Sequence, residues 1–160
     1  MHHGPPIIFL LWGRHFDEID AVIFVSELRA AGLCVKVVGL EGRPTAGAHG
    51  LVIAPDVALS QLPRLAPRAA GIVMPCCLDR MLHYAHDPRL VHFLQEAQRR
   101  QVCFLVRHSE LVAAQEQSWA PALQLGWPLA PFLAYPGYQD LLAFVHTLAT
   151  HVRLGKLLGA

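Results

Sequence analysis

Charge is scarce in this chain: 16% of its 160 residues are Asp, Glu, Lys or Arg, and they sum to a formal +1. Acids and bases are interspersed along it, so the basic stripe of a nucleic-acid surface is missing. Long apolar runs are missing too. The longest, Ile7 to Trp12, is strand-sized, whereas a bilayer-spanning helix needs about 18 residues or more. Neither a nucleic-acid nor a membrane partner is therefore expected. The opening Met1-His2-His3-Gly4-Pro5-Pro6 lacks the basic flank and apolar core of an export signal. Residues 1–6 read as a disordered lead into one domain spanning residues 1–160. Cysteine is confined to Cys34, Cys76, Cys77 and Cys103. Two lie in strand-like runs and two are adjacent, which is no disulfide framework, so reduced thiols in a cytoplasm are expected. Repeats, low-complexity tracts and interdomain linkers are absent.

What the chain has in quantity is apolar side chain, 54% of residues. At this length that is enough to bury a sizeable core, and it exceeds the usual share of a soluble domain. The surplus points to an apolar oligomer interface, most simply in a homodimer. Ile7 to Trp12 reads as a strand buried on both faces. A helical spacing follows, with Ile19, Val22, Ile23 and Leu28 on one side and Gly32 at the C-terminal glycine position. Cys34 to Val38 is the next strand, and strand–helix–strand in so short a space implies a right-handed parallel crossover. Gly50 to Ala54 reads as a short strand or hairpin arm, and a weakly helical, proline-punctuated stretch runs to Pro67.

Gly71 to Met74 and Val102 to Val106 are further buried strands. Between them Asp87-Pro88 opens a helix with Leu90, Val91, Leu94 and Ala97 on one face and Arg99-Arg100 at its end. Ser109 is expected to cap a short helix through Ala114. The proline-rich stretch Trp119 to Pro136 resists assignment apart from a strand at Phe132 to Ala134. Gln139 to Arg153 closes the chain as an amphipathic helix with Leu141, Leu142, Val145 and Leu148 inward. The fold class is α/β, a flavodoxin-like three-layer sandwich with a mainly parallel central sheet of about five strands.

In such sheets ligands gather at the carboxyl ends of the strands, here Arg14 to Asp20, Pro75 to Asp79 and Arg107 to Glu110. The stretch Phe16-Asp17-Glu18-Ile19-Asp20-Ala21-Val22, running through Leu28-Arg29-Ala30-Ala31-Gly32 to Val37-Val38-Gly39-Leu40, resembles the ThiJ/PfpI superfamily. His49-Gly50, the spacing to Asp56 and Leu59, and Gly71-Ile72-Val73-Met74-Pro75 fit the same pattern, which covers about the first two thirds of the chain. The resemblance implies deglycase, glyoxalase, peptidase, chaperone or redox-sensor activity. It also implies a site built on a cysteine at a nucleophile elbow, a glutamate bonded to that sulfur, and a Pro-Gly-Gly oxyanion turn.

This sequence departs at each point. The elbow position falls on Arg107, the glutamate position on Asp20, and the Gly-Gly position on Cys76-Cys77. Ser109-Glu110 replaces the usual Gly-Pro, and the downstream histidine loop is expected to be deleted, since little chain remains before Tyr135-Pro136-Gly137. A guanidinium cannot attack a carbonyl, so the usual chemistry should be absent. Arg107 at a helix N-terminus opposes the helix dipole, which leaves two readings. A bidentate pair with Asp20 plugs a vestigial pocket, or Arg107 and Ser109 hold a small anion, with His108 and, more remotely, His15 lining the pocket. Trp12 either packs in the core or lines the same crevice.

Cys76 and Cys77 are the candidates for a relocated nucleophile, giving a thiol-dependent hydrolase or an aldehyde-detoxifying enzyme, provided that His83, His86 or His108 folds nearby as base. Asp79, His83 and His86 follow at helical spacing, so a redox or metal sensor is a third reading. The spacing lacks the paired ligands of a zinc module, and no metal or cofactor is expected. Cys34 and Cys103 read as core residues.

Overall fold

In the computed structural model the described residues are 4–116 and 132–153. Among the described residues eight strands and six α-helices follow in the order β1 (Ile7–Trp12), α1 (Glu18–Ala30), β2 (Cys34–Gly39), β3 (Thr45–Ala46), β4 (Val52–Ile53), β5 (Val57–Ala58), α2 (Leu62–Leu65), β6 (Ala69–Met74), α3 (Leu78–Met81), α4 (Pro88–Arg99), β7 (Cys103–Arg107), α5 (His108–Glu116), β8 (Phe132–Tyr135) and α6 (Tyr138–Arg153). Six strands form one sheet in the order β5-β2-β1-β6-β7-β8, and every neighbouring pair is parallel. The central strands β1 and β6 are buried at every residue, which is why they read as unbroken apolar runs.

From β1 the chain steps outward to β2 on one side and returns to β6 on the other. With right-handed crossovers, α1 and α4 then lie on opposite faces. Helix α1 packs with α6, and α2 packs with α4. The reversal of direction at β1 and β6 opens a crevice at their carboxyl ends. Gly32, at φ 80° just past α1, is the expected left-handed glycine, its N–H donating to the Arg29 carbonyl at 2.8 Å.

Several local expectations are corrected. Ile19 and Val22 are each 46% exposed. Helix α1 instead turns Asp20, Ala21, Phe24 and Leu28 inward, where Asp20 meets the half-buried Arg107 cation. In α6 the inward row is Leu141, Val145, Leu148 and Ala149, leaving Leu142 outside. In α4 Phe93 rather than Val91 fills the core, edge-on to Phe9 at 5.1 Å. The arm at Val52–Ile53 pairs antiparallel with Thr45–Ala46, apart from the main sheet. Strand β5 was not anticipated; its two residues extend the sheet beyond β2.

Of the expected lead, residues 1–3 lie outside the described residues, whereas the Pro5 carbonyl accepts hydrogen bonds from Arg68 at 2.9 and 3.1 Å. Residues 117–131 of the proline-rich stretch, and with them the expected loop deletion, also lie outside the described residues. So do residues 154–160. No described helix is long and apolar enough to cross a membrane.

Candidate functional site

Strand β7 passes into α5 without an intervening residue: Arg107 ends the strand and His108 begins the helix. Arg107 therefore stands at the strand-to-helix junction. Ser109 lies inside the first helical turn and not at its cap, because the strand runs straight into the helix.

Three elements bring partners to Arg107. Asp17, the N-cap of α1, is anchored by its own N–H to the Pro75 carbonyl at 2.7 Å. Its Oδ1 accepts the Asp20 N–H at 3.0 Å. Its Oδ2 accepts from Arg107 Nη2 at 2.8 Å and from the Tyr138 hydroxyl at 2.5 Å. Asp20 is fully buried, and its Oδ2 accepts from Arg107 Nε (3.2 Å), Arg107 Nη2 (2.6 Å) and the Tyr135 hydroxyl (2.7 Å). The Tyr138 ring covers the guanidinium at 5.0 Å, a cation–π contact.

The expected pair forms, but it is not the two-oxygen bidentate fork. Both guanidinium nitrogens meet the same Asp20 oxygen, while Asp20 Oδ1 is buried without a hydrogen-bond partner. Asp17 takes the share of the guanidinium that the fork would have used.

Electrostatics separate the two carboxyls. For Asp17 burial pushes upward, but the Tyr138 hydroxyl, the Asp20 N–H and Arg107 outweigh it and hold the carboxyl below its ordinary range. For Asp20 burial prevails over the Tyr135 hydroxyl and Arg107, with Asp17 adding to the upward push. Burial works against the Arg107 cation too, yet Asp17 and Asp20 together raise it above even its ordinary value. Tyr135 is raised by burial first and then by Asp20, so it stays a neutral donor.

A cleft of ≈ 180 Å³ opens beside this network, lined by Arg107, Asp17 and Tyr135. Cys76 and Cys77, on the turn after β6, line it too. Burial pushes Cys76 well above its ordinary value, and burial followed by Glu110 raises Cys77. His15 lines the cleft, as do Arg80 and Glu110, but His108 and Ser109 do not, and both are exposed. Trp12 is core, its Nε1 donating to the Thr45 carbonyl at 3.0 Å. Helix α3 ends at Met81 and passes into a 3-10 turn, which breaks the spacing of Asp79, His83 and His86. Among the described residues no three His, Cys, Asp or Glu side chains gather as a metal site.

Four functional residues escaped the sequence reading. Asp17 was legible as a helix cap, since Asp before an apolar helix is a preferred N-cap residue, but its reach to Arg107 was not. Tyr135 and Tyr138 arrive from the far end of the chain, with no local signal. The fourth, Glu18, is 6% exposed and ties the β3–β4 hairpin to α1, accepting from the His49 N–H (2.6 Å), the Leu51 N–H (3.1 Å) and His49 Nδ1 (2.7 Å). A Cβ on Gly47 would sit 2.6 Å from the Glu18 side chain, so the close approach needs glycine there.

No family model matches the sequence, and no curated protein matches it. Solved structures do. Oxidised DJ-1 of Toxoplasma gondii superposes with a TM-score of 0.68 at 15% identity, covering 94% of this chain and 92% of that one. DJ-1beta of Drosophila melanogaster gives 0.64 at 15% identity, covering 98% and 100%. A ThiJ/PfpI domain protein of Brachyspira murdochii gives 0.64 at 13% identity, covering 94% and 99%. The chain has the DJ-1/ThiJ/PfpI fold.

Proposed function

We propose that this chain is a catalytically degenerate protein of ThiJ/PfpI lineage, in which an ion-paired arginine closes the nucleophile site. One observation carries the reading: at the strand-to-helix elbow the Arg107 guanidinium is held by both Asp17 and Asp20. A guanidinium so paired is neither nucleophile nor acid–base catalyst. It also makes a poor anion site, because Asp17 and Asp20 already share the guanidinium. We therefore read the cleft as vestigial. The rival reading, a nucleophile relocated to Cys76 or Cys77, has against it that both thiols are pushed up.

Iodoacetamide discriminates the two. Alkylation of Cys77, followed by peptide mass spectrometry, should climb about tenfold per pH unit and keep climbing past pH 9, as an unactivated thiol does. A rate that levels off below pH 8 would restore the enzyme.

The same reading includes a homodimer in a reducing, cytoplasmic setting, where free Cys34, Cys76, Cys77 and Cys103 stay reduced. Ile19 and Val22 on α1 and Leu51 and Val52 on the hairpin are 46–59% exposed, and Glu18 holds the two elements together. Light scattering should give twice the monomer mass for the native chain and the monomer mass for Val22→Glu. A native monomer at micromolar concentration would remove the dimer.

A further inference from the structure

The charge of Arg107 is spent within its own network, so an anionic ligand has to find its cations elsewhere. Beside the elbow cleft lies a larger depression of ≈ 340 Å³, lined by Arg14, His15, Glu41, Arg80, His83 and Tyr84. Its volume falls in the range of small-molecule sites, about 300–1,000 Å³. The residues after β1 and after β6 build it, at the point where the sheet reverses direction and where parallel sheets take ligands.

The charge balance here is opposite to that of the elbow. Arg14 and Arg80 face a single carboxylate, Glu41. Glu41 already accepts from the Tyr84 hydroxyl at 3.1 Å and pairs with Arg14 at 3.5 Å and with Arg43 at 3.6 Å. Burial pushes its carboxyl upward, but Tyr84, Arg14 and Arg43 prevail and lower it. Arg14 is the stronger of the two arginine partners of Glu41 and Arg43 the weaker, yet the Arg14 side chain is 56% exposed and meets Glu41 only at 3.5 Å, so it still presents donors to the depression. Among the described residues Arg80 forms no ion pair within 4.0 Å.

The walls are built. Tyr84 is fixed by the Arg14 N–H at 3.1 Å and by Glu41, and it packs so close that a Cβ on Gly13 would lie 2.7 Å from its hydroxyl. His15 is held in the left-handed region, φ 62°, by its N–H bond to the Ala46 carbonyl at 3.1 Å. Strain of this kind is tolerated where the surroundings over-determine it, and it concentrates at ligand sites.

We propose that this second depression binds a small phosphate- or carboxylate-bearing metabolite, its anionic group taken between Arg14 and Arg80. Arginine suits both groups because its planar fork matches two oxygens at once. His15 and His83 stand at the same depression as further hydrogen-bond donors.

The test uses the full chain with pyrophosphate, citrate and inorganic phosphate, at ionic strength held constant with KCl. Calorimetric titration should show saturable one-site binding of pyrophosphate or citrate, with a matching rise in Tm. Arg14→Gln and Arg80→Ala should each weaken it tenfold or more while circular dichroism stays native. Glu110→Gln, at a residue that lines the elbow cleft and not this depression, should not weaken it. Binding that ignores Arg14→Gln but tightens in Glu110→Gln would move the anion to the elbow and overturn the inference, together with the vestigial reading of that cleft. Absence of saturable binding by all three anions would overturn the inference alone.

Discussion

Arg107→Ala should lower the unfolding free energy by about 3 kcal/mol at pH 7, the lower end of the roughly 3–5 kcal/mol for breaking a buried ion pair. The lower end applies because the Arg107 side chain is 25% exposed, so water can enter part of the space it leaves. What remains is Asp20, fully buried, facing Asp17 with only the Tyr135 hydroxyl to meet it. The loss is thus the penalty of an uncompensated carboxylate more than the worth of the pair. Asp20→Asn in the Arg107→Ala background should recover at least about 1 kcal/mol, because an amide carries no charge to strand.

The pH dependence has a definite sign. Asp20 is already raised above its ordinary 3.8 in the native protein, and removing the cation raises it further. A group raised on folding favours the fold at low pH and stops doing so as pH climbs through its folded value. The deficit of Arg107→Ala should therefore shrink toward pH 4 and be full at pH 7. Urea melts of the native and variant chains across that range measure it. A deficit below 1 kcal/mol at pH 7, or one that grows on acidification, would show that the pair does not hold this elbow together.

Much of this geometry was readable in advance because it is local. The buried parallel strands announce themselves as continuous apolar runs, Asp87-Pro88 opens α4 with its side chain on the Arg89 N–H, and counting along Val102-Cys103-Phe104-Leu105-Val106-Arg107 lands on the elbow. The orientation of α1 was not readable. An apolar count favours burying Ile19 and Val22, but Asp20 has a fixed cation to reach, and that interaction turns those residues outward. Such a preference exists only after β7 and β8 have formed beside β1 and β6. Tyr135 illustrates the same limit: it pairs in register with Arg107 across two strands and meets Phe24 edge-on at 5.0 Å, and neither contact leaves a trace in the residues around it. Strand β5 escaped because its two residues show no periodicity; its register rests on Asp56, whose carboxylate accepts the Val37 N–H at 2.8 Å and pairs with Arg29.

Restoring the missing sulfur tests how deeply the site has diverged. Arg107→Cys places a thiol at the elbow beside the start of α5, a position that ordinarily lowers a thiol pKa. The same substitution removes the cation that Asp17 and Asp20 share. Asp20 then protonates more readily, but Asp17 keeps the Asp20 N–H and the Tyr138 hydroxyl and stays ionised. A carboxylate within a few ångströms disfavours a thiolate. The new thiol should therefore alkylate at pH 7 no faster than an ordinary cysteine with a pKa of about 8.5. Adding Asp17→Asn removes that charge while keeping a competent N-cap on α1. The double variant should alkylate about tenfold faster than Arg107→Cys, a shift of about one pKa unit or 1.4 kcal/mol. Site-resolved mass spectrometry separates the new thiol from Cys77. If Arg107→Cys alone reacts rapidly at pH 6, then Asp17 does not suppress a thiolate there, and the substitution at position 107 would by itself account for the lost nucleophile.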